Sequence, residues 1–264
     1  MTEQIVPASQ LIKLSVSKTK TFLNCKKQYK FTYIDKFPRK TWDFHLFGTF
    51  CHRVLEIFHL AYVHGSTNPY NKEMSSAYKI AVSEYADKMT PDALQDCKNI
   101  IHNYLKQIYK NGLDKIIGVE KRFELNINGN IILNGAIDRI QVDTDGIVHV
   151  ADYKSTKDKK YLINDFFQLL TYAYIMINED PNLTKVRASY IMLRHDFQYI
   201  TEEFEREEIL KIKDKYIDYA SKILNENMFD AKPSPLCKFC DHLERCEEGK
   251  RKVYKENFFG ETSW

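Results

Sequence analysis

Apolar side chains recur at helical spacing through the first third of the chain. Between residues 46 and 64 they fall on a single stripe, as expected of an amphipathic helix that packs on a core. Ser15 and Ser17 stand where capping residues open a further helix. The helices predicted in this region cover residues 15–34, 46–64, 71–88 and 91–111.

The spacing changes near Val119, where apolar and β-branched residues alternate as they do in strands. In chain order the pattern predicts strands at 119–127, 131–142 and 147–154, a helix at 164–178, strands at 186–194 and 197–204, and a helix at 205–227. This order predicts an α/β fold of mixed α+β character, with helices packed on a central mixed sheet. The segment that follows Pro233 is short and rich in cysteine.

The second and third strands carry the most informative residues. Read as a type I turn closed by glycine, Thr144–Gly146 sets a pairing that puts Asp138 opposite Asp152. Lys154 is two residues further along and therefore points to the same face. A two-residue loop would shift the pairing by one position and weaken this geometry. Four apolar residues are predicted to share that face, namely Ile140, Val142, Val148 and Val150.

Two carboxylates beside an ammonium group suggest a metal site. Neighbouring carboxylates repel each other unless a cation neutralises them. Hard oxygen ligands suit Mg²⁺ or Mn²⁺, which keep waters and also bind substrate phosphate. Lys154 would then orient the attacking water and stabilise the charged phosphorus centre. The alternative is a solvated hairpin that displays Asp138, Asp152 and Lys154 to water, because an aspartate two residues before a lysine is by itself a weak signal.

These residues resemble a known family. Asp138, Asp152-Tyr153-Lys154, and Gln168 with Tyr172 resemble the motifs of the RecB-like branch of the PD-(D/E)XK nucleases. The resemblance implies a restriction-endonuclease-like core between an N-terminal helical region and a C-terminal cysteine-rich segment. It also implies that Gln168 and Tyr172, one helical turn apart, border the active site and hold the DNA strand. Ile137 replaces the proline usual before the first aspartate, as in many RecB-like members.

The same resemblance implies a metal-binding histidine on an upstream helix. His52 follows Gly48 by four residues in the stretch LFGTFCHRVLEIFH, and His59, one heptad later, is its competitor. Glu120 matches an acidic residue often present on the first strand, and its role stays open. The metal ligands that the family implies are His52, Asp138, Asp152 and the main-chain carbonyl of Tyr153.

Six cysteines are present, and three of them form a C-x2-C-x5-C triad near the end. Three thiolates need a fourth ligand to hold zinc or an iron–sulfur cluster, and the residues alone favour neither. The candidates for the fourth ligand are Cys25, Cys51, Cys97 and His242.

The cysteine pattern resembles that of iron–sulfur nucleases, which include AddB-type subunits and CRISPR-associated RecB-like exonucleases. That resemblance implies a 4Fe–4S cluster that joins the two ends of the chain. Cys51 falls on an apolar stripe and is predicted to be in the core, and Cys97, in a charged stretch, is predicted to be free. The implied cluster ligands are Cys25, Cys237, Cys240 and Cys246.

Composition adds little to this interpretation. A net charge of +3 neither requires nor excludes nucleic acid as a partner. Two basic clusters carry tyrosines able to stack on bases, although each is equally well explained as a solvated lysine-rich face. The clusters are Lys26, Lys27 and Lys30 with Tyr29 and Tyr33, and Lys154, Lys157, Lys159 and Lys160 with Tyr153 and Tyr161.

The sequence begins without a signal-peptide pattern and contains no apolar run long enough for a membrane span, so a cytoplasmic protein is expected. In such a compartment cysteines bind metals more often than they form disulfides.

Taken together, the motifs and the family they resemble imply a metal-dependent DNA exonuclease that acts on single-stranded or frayed ends, with 5′→3′ polarity in many family members. A helicase or CRISPR adaptation proteins are the expected partners. Two alternatives stay open: a structure-specific endonuclease on the same core, and a non-catalytic iron–sulfur DNA-binding subunit. One domain is predicted over 1–264, with a helical region at 1–115, a nuclease core at 116–230 and a cluster segment at 231–264.

Overall fold

Six strands and nine α-helices lie within residues 11–158 and 165–259, which the computed structural model describes. Strands β1–β6 are Ile12–Leu14, Lys115–Asn126, Ile131–Val142, Val148–Lys154, Lys185–Met192 and Gln198–Glu205. Helices α1–α9 are Val16–Asn24, Lys26–Tyr29, Asp43–Val63, Tyr70–Tyr85, Pro91–Asn111, Phe167–Glu179, Arg206–Leu210, Ile212–Leu224 and Glu247–Phe259. In this part of the chain no helix combines the length and hydropathy that crossing a bilayer requires.

The chain forms two compact units. The first contains residues 1–40, 126–134 and 214–264, and the second contains 41–125 and 135–213. In the first unit β1 pairs in parallel with the start of β3. In the second, β3 and β4 pair antiparallel, β4 and β5 parallel, and β5 and β6 antiparallel. The predicted mixed sheet with flanking helices is therefore confirmed.

The core of the second unit forms between α3 and its neighbours. Phe50, Val54 and Phe58 are fully buried on one stripe of α3, as their spacing predicts. They belong to one cluster with apolar residues of α4 and α5 and with Tyr153 of β4. This packing fixes α3 against the strand that carries the aspartate–tyrosine–lysine motif.

Three predicted elements differ from the structure. The helix expected over 15–34 is interrupted at Cys25, whose backbone is extended, and ends in a π-helical turn over Lys30–Ile34. The helix expected over 205–227 is broken at Lys211 into α7 and α8. Strand β1 was not predicted, because an alternation of only three residues is too short to indicate a strand, and the strand is defined by its pairing with β3.

Cys97 is a free thiol, as predicted. It is fully buried on α5, and its sulfur lies 3.2 Å from that of Cys51. Its charged sequence neighbours occupy the other faces of the helix. Cys97, Ile101, Tyr104 and Ile108 repeat at helical spacing along the buried face. Cys51 lies in the core, as predicted.

The first basic cluster is neutralised within its own unit. Lys26 pairs with Glu226, Lys27 with Glu248 at 2.8 Å, and Lys30 with Asp35 at 2.8 Å. These pairs agree with the interpretation of a solvated, charged face. Of the second cluster, Lys159, Lys160 and Tyr161 lie outside the described residues.

Candidate metal centre

The β3–β4 hairpin has the register that its turn predicts. The Gly146 amide donates to the Asp143 carbonyl at 2.9 Å, and Gly146 has a φ of 82°, in the left-handed region that favours glycine. Arg139 pairs with Ala151, so the next residues along, Asp138 and Asp152, lie side by side. The predicted juxtaposition of the two aspartates is confirmed.

His52 of α3 reaches the first of these aspartates. Its Nε2 is 3.0 Å from the Tyr153 carbonyl oxygen, which only accepts hydrogen bonds, so Nε2 carries the proton. Nδ1 then presents a lone pair 3.3 Å from Asp138 Oδ2. Burial lowers the pKa of His52, which favours the neutral ring. A cation between Nδ1 and Oδ2 would be bound by a lone pair of each atom.

Glu120 of β2 completes this group. One potential ligand atom from each of His52, Glu120 and Asp138 lies within 4.8 Å of the others, and among the described residues no other set of three such groups meets this limit. Burial, and then the nearby Glu56 carboxylate, raises the pKa of Glu120.

The backbone of Glu120 is unusual for a strand. Its φ is +46°, in the region that residues with a Cβ rarely adopt. Such a conformation costs about 1–3 kcal/mol and is concentrated at functional sites. The sequence marked Glu120 as a strand acid of uncertain role, and no local signal predicts that the backbone turns its side chain toward His52.

Asp152 is held by residues from α6. Gln168 Nε2 donates to Asp152 Oδ1 at 2.6 Å, and the Tyr172 hydroxyl donates to the same oxygen at 3.2 Å. Lys154 Nζ donates to Gln168 Oε1 at 2.9 Å. Gln168 and Tyr172 share a helical face beside the two aspartates, as predicted. Tyr172 is only 5% exposed, and its hydroxyl donates to the Asp152 carboxylate. Contact of either residue with DNA stays a prediction.

The second oxygen of Asp152 faces the Lys154 ammonium. Oδ2 is buried and lies 2.6 Å from Lys154 Nζ, in an ion pair that lacks hydrogen-bond geometry. A buried ionised oxygen is costly unless a cation approaches it, and Lys154 supplies that charge. Burial and the Asp152 charge together raise the pKa of Asp138 well above its usual range. The oxygen-rich donor set of the two aspartates and Glu120 fits a hard divalent cation.

The competing histidine lies elsewhere. His59 is fully buried, with Nε2 2.7 Å from the Tyr104 hydroxyl and Nδ1 3.2 Å from that of Tyr153. Both ring nitrogens are therefore engaged within the core. Of the two candidates, His52 is the one beside Asp138.

Substituting the two histidines separates these roles. We expect His52→Ala to raise the Mn²⁺ concentration for half-maximal cleavage by on the order of 10²-fold. Losing a residue that only supports a metal ligand already weakens metal affinity by roughly 10- to 100-fold, and a direct ligand should matter at least as much. We expect His59→Ala to lower the free energy of unfolding by about 2–4 kcal/mol, because it opens a cavity and removes hydrogen-bond partners from two buried tyrosines. Metal titrations and thermal melts of both variants measure the two effects, and a raised metal requirement in His59→Ala alone would reverse the assignment.

Gly48 explains how α3 comes so close to the site. A Cβ at this position would stand 3.0 Å from Ser155 Oγ, tighter than ordinary contacts. Ser155 follows Lys154 directly, so the missing side chain lets α3 approach the end of β4. His52, one turn later, is thereby brought to the aspartates.

The four predicted cluster cysteines lie in the first unit. Each sulfur accepts a backbone amide hydrogen bond: Cys25 from Lys232 at 3.5 Å, Cys237 from Ser234 at 3.3 Å, Cys246 from Gly249 at 3.4 Å, and Cys240 from His242. Amide donors favour the thiolate form that binds metals, but burial outweighs them at Cys240 and Cys246 and raises the pKa of both thiols.

The chain is similar to several known proteins. The family model described as the PD-(D/E)XK nuclease superfamily matches residues 13–247. The chain is 31% identical over 183 residues to a subunit of the ATP-dependent helicase/deoxyribonuclease of Streptococcus agalactiae, covering 63% of this chain and 16% of that protein. The Streptococcus pyogenes protein of the same name is 27% identical over 197 residues, covering 64% and 17%.

The chain thus spans about a sixth of the length of the curated relatives it matches. Among solved structures, a candidate exonuclease from Eubacterium rectale aligns with a TM-score of 0.51 and 12% identity. The alignment covers 91% of this chain and 90% of the other. At this identity the likeness concerns the fold.

Proposed function

Because the chain belongs to the PD-(D/E)XK nuclease superfamily, we propose that it is a metal-dependent DNA exonuclease whose active site is the β3–β4 hairpin with His52 and Glu120. The observation that carries the proposal is the position of His52, whose Nδ1 lies 3.3 Å from Asp138 Oδ2 while its Nε2 donates to the Tyr153 carbonyl. The Lys154 ammonium, 2.6 Å from the buried Asp152 Oδ2, supports it independently.

In this proposal the metal ligands are His52, Glu120, Asp138 and Asp152. The Tyr153 carbonyl, which accepts one hydrogen bond from His52, contributes its second lone pair. Mg²⁺ or Mn²⁺ bound there would lower the pKa of a water and stabilise the negative charge that develops on a phosphodiester.

The chain's own residues prepare that chemistry. Lys154 orients the attacking water and offsets the charge on phosphorus, from its position 2.6 Å from Asp152 Oδ2. Gln168 and Tyr172 fix Asp152 Oδ1, which leaves Oδ2 facing Lys154. Gln168 also accepts a hydrogen bond from Lys154. One side chain therefore links the Lys154 ammonium to the Asp152 carboxylate. Beyond this, both α6 residues are proposed to position the DNA strand.

The substrate and partners follow from the relatives. Two of them are named as subunits of a helicase/deoxyribonuclease, which supports DNA as the substrate and a helicase as a partner. CRISPR adaptation proteins are an alternative partner, proposed from the cysteine pattern alone. We propose action on single-stranded or frayed ends with 5′→3′ polarity. A structure-specific endonuclease on the same hairpin is the competing activity.

We further propose that Cys25, Cys237, Cys240 and Cys246 hold a 4Fe–4S cluster. Support comes from the cysteine pattern, from the amide donors to all four sulfurs and from the place of all four cysteines in one compact unit. Bound there, the cluster would act as a cross-link between residues distant in sequence. A non-catalytic DNA-binding subunit would share this cluster, but the His52–Asp138–Asp152–Lys154 arrangement argues against a vestigial site.

Linear and circular substrates test the proposal. We expect linear single-stranded DNA, labelled at one end, to be degraded with Mn²⁺ or Mg²⁺ and to persist with EDTA. Covalently closed single-stranded circles should persist in both conditions, because an exonuclease needs an end. Comparing 5′- and 3′-labelled strands determines polarity. Rapid loss of circles would show that the protein is an endonuclease. Persistence of all substrates with either metal would favour the non-catalytic DNA-binding subunit.

A further inference from the structure

Aromatic rings cluster at the start of α3, outside the metal centre. The Trp42 and Phe44 rings are stacked, with centroids 5.8 Å apart and planes 29° apart. The His45 ring meets Phe44 edge-on at 4.3 Å. Phe44 is 49% exposed, so part of its ring faces solvent and is accessible to a ligand. We call Trp42 and Phe44 the aromatic pair.

The aromatic pair lies on the path to the proposed active site. Phe44, Gly48 and His52 follow one another at steps of four residues, so they occupy neighbouring positions along one side of α3. At 1.5 Å per residue, Phe44 precedes His52 by about 12 Å along the helix axis. Stacked nucleotides of one strand rise about 3.4 Å each, so this distance corresponds to roughly three or four nucleotides.

Positive charge borders the same stretch. The Arg194 guanidinium lies 4.0 Å from the ring centroid of Phe47, one turn after Phe44, and donates from Nε to the Ser155 carbonyl at 3.1 Å. It also pairs with Asp96, an exposed partner at 3.2 Å. Lys157 is exposed two residues after Ser155. Both cations thus belong to the neighbourhood of Ser155, the residue that α3 approaches at Gly48, one helical turn after Phe44.

From this arrangement we infer that the aromatic pair stacks the bases of a single DNA strand and leads its end to the metal centre, while Arg194 and Lys157 contact the phosphates. The inference rests on the proposed function and names how the substrate is recognised. Stacking on an exposed ring is open to every base, so binding would be tolerant of sequence. Bases inside a duplex are already stacked and paired, so the aromatic pair selects single strands.

Binding without cleavage tests the inference. In EDTA, a short fluorescein-labelled oligodeoxythymidylate reports affinity by anisotropy. We expect Phe44→Ala to bind it about 5- to 100-fold more weakly, the range for losing one base–aromatic stack. Phe44→Trp should retain binding. Tyr109→Ala is the matched control, because Tyr109 is a 59% exposed aromatic of α5 that packs against Tyr70, and its loss should leave affinity unchanged.

An oligonucleotide series with one abasic sugar at successive positions distinguishes stacking from folding effects. One position should weaken wild-type binding, and the same position should cost Phe44→Ala nothing further. Equal affinity of Phe44→Ala and wild type would overturn the inference. So would a series in which every abasic position weakens binding by the same factor in Phe44→Ala as in the wild type. Cleavage of linear DNA by the wild type with Mn²⁺ is read separately, so failure of the aromatic pair and failure of the nuclease proposal give different results.

Discussion

Replacing Asp152 by asparagine is expected to reduce Mn²⁺-dependent DNA cleavage by roughly 10³-fold or more. The substitution keeps the shape of the side chain and removes the charge that the cation requires. Loss of one preorganised electrostatic group at a transition state costs about 10²- to 10³-fold, and a metal ligand should cost at least as much. Gln168 and Tyr172 can still bond the amide oxygen, so the local fold should survive.

Three measurements make this expectation specific. Initial rates on end-labelled single strands give the loss of activity. Thermal melts with and without Mn²⁺ report binding, because a ligand that binds only the folded state raises its stability. Anisotropy in EDTA confirms that DNA binding persists. Glu202→Gln, which removes an exposed charge on β6, is the control and should match the wild type. Full Mn²⁺-dependent cleavage by Asp152→Asn would contradict the proposed active site.

The hairpin at the centre of the site was predictable because its geometry is local. Gly146 fixes the turn, the turn fixes the register, and alternation along a strand then places Asp138, Asp152 and Lys154 on one face. Each step needs only neighbours in sequence. The same holds for the stripe on α3, where helical spacing alone locates His52 at the edge of a buried face.

Other features depend on contacts that the sequence does not encode locally. The spacing of Gln168 and Tyr172 predicts a shared face, but their hydrogen bonds to Asp152 follow from how α6 packs against β4. The backbone of Glu120 is left-handed within a strand, which tertiary packing imposes against the preference of the residue. Helical spacing alone does not choose between His52 and His59, because both lie on one side of α3. The hydrogen bonds of His59 to two core tyrosines make the distinction.

Removing one cluster ligand is expected to have the largest effect on stability. Cys25 lies 212 positions before Cys237, so a cluster that binds both closes a very long loop. On the analogy of disulfides, closing a loop of this length stabilises the folded state by about 5 kcal/mol, although that entropic account is model-dependent. A typical domain has a net stability of only about 5–15 kcal/mol. Cys25→Ser should therefore give protein that is colourless, sensitive to proteases and inactive through loss of structure.

Cysteines outside the cluster supply the control. Cys51→Ala and Cys97→Ala alter the core contact between α3 and α5, and both should retain the visible absorption of the wild type. Anaerobically purified wild type should be brown and contain about four irons per chain. Stoichiometric zinc without iron in that preparation would contradict the cluster. The nuclease proposal would stand in that case, because Asp138, Asp152 and Lys154 are positioned by the hairpin and α6, whatever metal the thiolates bind.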